Sequence, residues 1–265
     1  MSEVQNIIDT QYQNGKKDPY QIIELIARKG YFNYRDVLLG NEIKEPGEKT
    51  CVEFCNSAFG KPEFFSHKLK NLFTLSEKFR RDMMTYFGNK SRYKILELGC
   101  HYGYSTSHFA NIFKKVYTLD WFSYFLGINR EINREKDNII YLRKDLYKES
   151  WDDLYELDVD IVFLDAMHTK ECVEKDLKNI LKFKNLKYVI VDDYGMWKGV
   201  REPVEELVKK GILKREIDFG LTRKELIMLH YENGTSVDLK LDSKENEKKI
   251  ENIPEGVMFS INLNK

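Results

Sequence analysis

An excess of charge of either sign is what this 265-residue chain most plainly lacks: Lys+Arg and Asp+Glu number 43 each. No overall field draws it to nucleic acid or to an anionic membrane, which counts against an RNA or DNA substrate without excluding one. Cysteine is scarce too. Cys51, Cys55, Cys100 and Cys172 are too few and too scattered for a disulfide scaffold, and fit a reducing compartment. The first two form a C-x-x-x-C pair with no second Cys pair or His cluster downstream, so core or helix-surface cysteines read better than zinc ligands. No apolar run approaches the roughly 20 residues of a membrane-spanning helix. The opening MSEVQNIIDTQYQNGKKD has neither a basic start leading into an apolar stretch nor an amphipathic arginine-rich face. A soluble cytoplasmic protein with no membrane partner is the expectation. Missing as well is G-x-G-x-x-G, which sets aside a dinucleotide site.

What is present centres on residues 94–120, KILELGCHYGYSTSHFANIFKKVYTLD without its first strand residue Tyr93. A short apolar run with Ile95, Leu96 and Leu98 stops at Gly99. A helical pattern placing Phe109, Ile112 and Phe113 on one face follows, and a second extended run begins at Val116. A β-α-β unit with glycines in its first turn is a nucleotide-binding arrangement, because glycine lets the backbone approach a ligand and the helix start presents free N–H groups. The spacing here is Gly99-x-x-x-Gly103, with Glu97 two residues ahead. An acid at a strand end, pointing into the crevice, suits a cationic ligand better than a pyrophosphate.

E-x-G-x-x-x-G resembles motif I of the class I S-adenosylmethionine (SAM)-dependent methyltransferases, and LELGCHYGYST resembles the LELG-x-x-x-GYS signature of their catechol-type O-methyltransferase branch. The resemblance, over roughly residues 75–231, implies SAM contacts from Glu97, Gly99, His101, Gly103, Tyr104, Ser105, Asp120 and Trp121. Asp120 would hold the ribose hydroxyls, while His101 and Tyr102 would shape the pocket. Asp145, after the third strand, is either a contact to the adenine amino group or a surface acid.

Composition allows one large core, or one domain plus an appendage. Residues 1–73 read as a mainly helical N-terminal extension: YQIIELIARK is amphipathic, with Gly30 as its stop. It is a lid, a homodimerisation arm or packing, and Phe54, Phe59, Phe64 and Phe65 read as buried contacts. Residues 74–232 read as the methyltransferase domain, opening with a capping box at Thr74-Leu75-Ser76-Glu77 and a helix to about Phe87. Alternating strands and helices then lead to Arg215–Tyr231 as a closing antiparallel strand pair. The fold class expected is α/β: a doubly wound, Rossmann-like, seven-stranded sheet with helices on both faces. Residues 233–265 form a C-terminal extension that adds an edge strand or lies disordered.

Acids end successive strands: Glu97, Asp120, Asp165, Asp192 and Asp193. Ligands of open α/β sheets bind beyond those ends, and converging carboxylates repel unless a cation neutralises them. Oxygen ligands favour Mg²⁺ or another divalent ion. The resemblance implies the same: VFLDAMH offers Asp165, and VIVDDYG, like the macrocin-type O-methyltransferases, offers Asp192 and Asp193. The alternative is that Asp165 orients substrate and Asp192 caps the next segment. His168, three residues after Asp165, stands where the catechol branch has a lysine, and is either the general base or a bond to the loop backbone. The expected reaction is metal-assisted O-methylation of a small hydroxylated acceptor, a sugar or a catechol-like ring. Methylation of a macromolecule and non-catalytic SAM binding are the alternatives.

Overall fold

The computed structural model describes residues 75–88, 91–232 and 252–262; the expectations for residues 1–73, including the lid, the dimerisation arm and the four phenylalanines, lie outside them. Among the described residues the first element is α1 (Glu77–Phe87). Its N-cap is Ser76, whose Oγ accepts the Phe79 N–H at 3.1 Å, the exchange that satisfies one of the open donors of a helix start. Gly88 ends it with φ 71°.

Then follow β1 (Ser91–Leu98), α2 (Tyr104–Ile112), β2 (Phe113–Asp120), α3 (Ser123–Ile132), β3 (Ile139–Arg143), α4 (Asp152–Tyr155), β4 (Ile161–Leu164), α5 (Lys170–Ile180), β5 (Tyr188–Val191), α6 (Lys198–Lys209), β6 (Leu213–Thr222), α7 (Arg223–Glu232) and β7 (Pro254–Ile261). The sheet order is β3-β2-β1-β4-β5-β7-β6. The first five positions are parallel, and β7 runs antiparallel to both β5 and β6. This is the expected seven-stranded, doubly wound sheet, and chain direction across it reverses at β1/β4, where such sheets bind ligands.

Period-two alternation in the strands builds a core on each face. Leu96, Leu98, Val162, Leu164, Val189 and Val191 meet Val173, Leu177 and Ile180 of α5 and Val200 and Val204 of α6. Ile95, Val116, Ile161, Phe163 and Ile190 meet Phe79 and Met83 of α1 and Phe109 and Ile112 of α2 on the other face. Among the described residues no helix is long and apolar enough to cross a membrane.

Two expectations for the C-terminal part are corrected. Residues 223–232 are helical, not the second of two closing strands. Thr222 and Glu225 form a capping box there: the Thr222 N–H and Oγ1–H donate to Glu225 Oε2 at 2.7 and 2.8 Å, and the Glu225 N–H returns to Thr222 Oγ1 at 3.4 Å. T-x-x-E was a readable signal for a helix start. Nor is the last strand an edge. β7 lies between β5 and β6, with Val257 and Phe259 in one core and Met258 in the other, and a strand apolar on both faces belongs in a sheet's interior.

Candidate functional site

Register aligns the strand ends. Leu98 pairs with Leu119 and with Leu164, and Leu164 with Val191. The ladder continues one step past each end: the N–H groups of Gly99, Asp165 and Asp192 donate to the carbonyls of Leu119, Leu98 and Leu164 at 3.1 Å each. The loops after β1, β2, β4 and β5 therefore converge.

The turn after β1 needs glycine twice, for different reasons. Gly99 has φ +85°, and a Cβ there would lie 2.1 Å from the carbonyl oxygen of Asp165. Gly103 has φ +83°, and its Cβ would lie 2.1 Å from Asn129 Cγ on α3. Its smallness serves the close approach of α3 to the start of α2, with Asn129 Nδ2 donating to Thr106 Oγ1 at 2.8 Å.

Glu97 is placed differently from expectation. It is 0% exposed, and it accepts hydroxyl bonds from Ser105 at 2.6 Å, Thr106 at 2.5 Å and Thr118 at 2.6 Å. Burial pushes its carboxyl up to about 7, against those three donors. Glu97 and Ser105 thus lock α2 to β1 and β2, and the pair faces the interior because the strand's alternation turns Glu97 toward the helix that covers it. Nothing in the spacing singled out Thr106 or Thr118, since the ring of donors exists only after β1 and β2 pair.

Asp120 ends β2 as expected. Its Oδ2 accepts the His101 N–H at 3.1 Å and its Oδ1 the Phe122 N–H at 2.9 Å. The Cys100 Sγ–H also donates to its Oδ2, at 4.0 Å. Burial raises its carboxyl to about 6, opposed by backbone N–H groups. His101, with φ 46°, packs its ring 4.1 Å from Tyr102 and 4.5 Å from Phe125, and burial lowers its imidazole to about 4, so it stays neutral. Trp121 is 43% exposed and stacks on Phe122 at 5.4 Å. Tyr104 is half-buried at the first position of α2. Asp145 accepts the Tyr147 N–H at 3.0 Å and pairs with Lys148 at 3.3 Å. Burial pushes its carboxyl up, but these bonds outweigh it and hold it below the usual range.

The acidic ends of β4 and β5 assemble with one substitution in the expected set. Among the described residues, Asp165, His168 and Asp193 bring one ligand atom each to within 4.8 Å of the others. His168 Nε2 lies 3.4 Å from Asp165 Oδ1 and 3.2 Å from Asp193 Oδ2, and the three side chains are 33%, 30% and 29% exposed in the order His168, Asp165, Asp193. Asp192 is not in this group. Successive side chains of an extended chain leave on opposite sides, and Asp193 takes φ 54°, so the two neighbours diverge. Asp192 is 9% exposed. Burial first, then Asp165, Asp193 and Glu255, push its carboxyl well up, and its Oδ1 has no hydrogen-bond partner among the described residues.

Burial lowers the His168 imidazole, but the flanking carboxylates of Asp165 and Asp193 raise it more, to about 9. Burial raises Asp165 to about 6. The His168 ring lies parallel to Trp197, 5.8 Å away, which orients it. Tyr147, after β3, ties this loop to the rest: its hydroxyl donates to the buried Asp176 at 2.9 Å and accepts the Met167 N–H at 3.3 Å. Residues 147 and 176 are 29 apart, and no local pattern announces the pair.

No family profile and no curated protein matches the chain. Solved structures do. An rRNA methylase from Streptococcus thermophilus is 12% identical, TM-score 0.42, over 68% of this chain and 92% of its own. N-methyltransferase NodS from Bradyrhizobium japonicum is 15% identical, TM-score 0.45, over 70% and 97%. Phosphoethanolamine N-methyltransferase 1 from Haemonchus contortus is 14% identical, TM-score 0.49, over 89% and 52%. The likeness is one of fold.

Proposed function

We propose that this chain is a SAM-dependent methyltransferase that methylates an oxygen of a small hydroxylated acceptor, a sugar or a catechol-like ring, with the help of a divalent cation. The observation that carries the reading is the contact of Gly99 with Asp165. It sets a glycine turn, tied to the acid ending β2, directly against an open Asp-His-Asp cluster.

The donor half uses Asp120, a carboxylate at the end of β2 that would accept from the ribose hydroxyls of SAM, and the exposed Trp121 indole beside it, which offers an apolar face to the base. Glu97 is a positioning residue: it holds the turn through Ser105, Thr106 and Thr118. In the transfer, a lone pair of the acceptor oxygen forms the new C–O bond as the S–C bond breaks, its electrons staying on sulfur. The hydroxyl proton leaves to solvent or to a carboxylate of the cluster. Alignment of oxygen, methyl and sulfur supplies the main part of such catalysis.

The cluster fits a divalent cation. Two carboxylates and one imidazole nitrogen are a recognised donor set, and the three side chains are only partly buried. Asp165 and Asp193 would hold the ion, which when bound lowers the pKa of a hydroxyl as a Lewis acid. The test is calorimetry with SAM, followed by labelled methyl transfer to a panel of sugars, catechols, nucleosides and peptides with and without chelator. Binding of SAM and chelator-sensitive labelling of a hydroxylated small molecule are expected. No SAM binding by the wild type would remove the central claim, and full activity in chelator would remove the cation.

A further inference from the structure

We infer that His168 is a ligand of the cation, not the base for the acceptor hydroxyl, and that the site therefore prefers a first-row transition ion to Mg²⁺, the borderline Co²⁺, Ni²⁺ and Zn²⁺ more than Mn²⁺. The inference rests on the cation reading above and names the ion class that this site takes.

Position comes first. A base must offer its nitrogen to the acceptor, whereas His168 Nε2 is shielded from solvent and sits in the angle between Asp165 Oδ1 and Asp193 Oδ2, at 3.4 and 3.2 Å. It is close to both carboxylates at once. Three donor atoms within 4.8 Å of one another are placed to act as ligands around a common point.

Orientation comes second. The Trp197 indole, parallel to the imidazole, restricts rotation of the ring, and Thr169, the next residue, caps α5 by accepting the Cys172 N–H at 3.4 Å. A ligating imidazole is held in just this way by its surroundings, since ring orientation sets the direction of the nitrogen lone pair.

Exclusion comes third. Asp192, the residue that would complete an all-oxygen set, is nine-tenths buried, with its unpartnered Oδ1 beside Asp165 and Asp193. With Asp192 withheld, the exposed set is two oxygens and one nitrogen. Mg²⁺ binds oxygen and keeps much of its water, while imidazole suits the later divalent ions, whose affinity for nitrogen rises along the first transition row.

The experiment loads wild type and His168→Ala with Mn²⁺, measures affinity by competition against Mg²⁺, and records pulsed EPR of the bound Mn²⁺. Wild type is expected to bind Mn²⁺ more tightly than Mg²⁺ and to show ¹⁴N coupling that disappears in His168→Ala. The variant should lose at least the roughly tenfold affinity that even outer partners of a metal site contribute. Binding of Mn²⁺ by wild type without ¹⁴N coupling would overturn the ligand assignment and leave the cation reading standing. Absence of any divalent-ion binding would overturn both. The spectrum of the wild type is decisive even if the variant fails to fold.

Discussion

Gly99 and Asp165 stand in backbone contact: a Cβ on the first would lie 2.1 Å from the carbonyl oxygen of the second. The donor turn and the cation loop are therefore one packed unit. Gly99→Ala adds a methyl against backbone that cannot swing aside, in a left-handed conformation costing about 1–2 kcal/mol for an L-residue. SAM and Mn²⁺ titrations should both weaken in this single variant. Loss of SAM binding with unchanged Mn²⁺ binding would mean that the contact does not couple the halves.

Asp120→Asn removes the charge that faces the donor pocket while keeping an oxygen for one backbone N–H. Hydrogen bonds to a charged group contribute about 1.5–3 kcal/mol, so SAM affinity is expected to fall about tenfold to a hundredfold with the fold retained. Calorimetry paired with circular dichroism checks this, and wild-type affinity in the variant would remove Asp120 from the donor site.

Glu97 predicts a pH dependence of stability. Its carboxyl is raised by burial to about 7 in the folded chain against a model-compound value of 4.5. Between those values the folded state binds more protons than the unfolded one, so stability is greatest below pH 4.5 and declines as pH rises toward 7. The slope from this group reaches roughly 1.4 kcal/mol per pH unit. Asp120 and Asp176, also raised by burial, act in the same direction. Glu97→Gln should remove its own share, so the stability gap between variant and wild type should move in the variant's favour from pH 5 to pH 8. Denaturant melts at both values would count against the protonated acid if the gap stayed constant.

Tyr147→Phe deletes the hydroxyl between Asp176 and the Met167 N–H. A buried carboxyl then loses its donor, at a cost of about 1–3 kcal/mol, and the loop carrying Asp165 and His168 loses a tether. A lower melting temperature together with weaker Mn²⁺ binding is expected. A lower melting temperature alone would confine Tyr147 to stability.

Phe259→Ala tests the place of β7. Its ring is fully buried beside Tyr194, so truncation should cost about 3–5 kcal/mol. An exposed edge strand would tolerate the change, and a loss under 1 kcal/mol would contradict the interior position.

Much of the fold was legible because its signals are local. The runs ending at Leu98, Leu164 and Val191, the helix stopped by Gly88 and the alternation of strand and helix all lie within windows of a few residues. In the last third two local signals compete. ELIMLHY is rich in strand-compatible residues, and the Thr222–Glu225 box that starts its helix is the opposing signal. GVMFSI follows the other strands in the chain, which suggests an edge, yet both its faces are apolar and it lies in the interior.

By itself, the sequence determined that acids would terminate successive parallel strands and that glycines would shape the first turn, because strand ends and turn conformations depend on neighbours in the chain. Which acids face outward was decided only by the tertiary structure. Burial beneath α2 turned Glu97 into an anchor for Ser105, Thr106 and Thr118. The left-handed backbone at Asp193 parted it from Asp192, and His168 took the open place between Asp165 and Asp193. Those outcomes depend on atoms brought together from distant parts of the chain, and no spacing within one segment encodes the direction in which a side chain points after the sheet has closed.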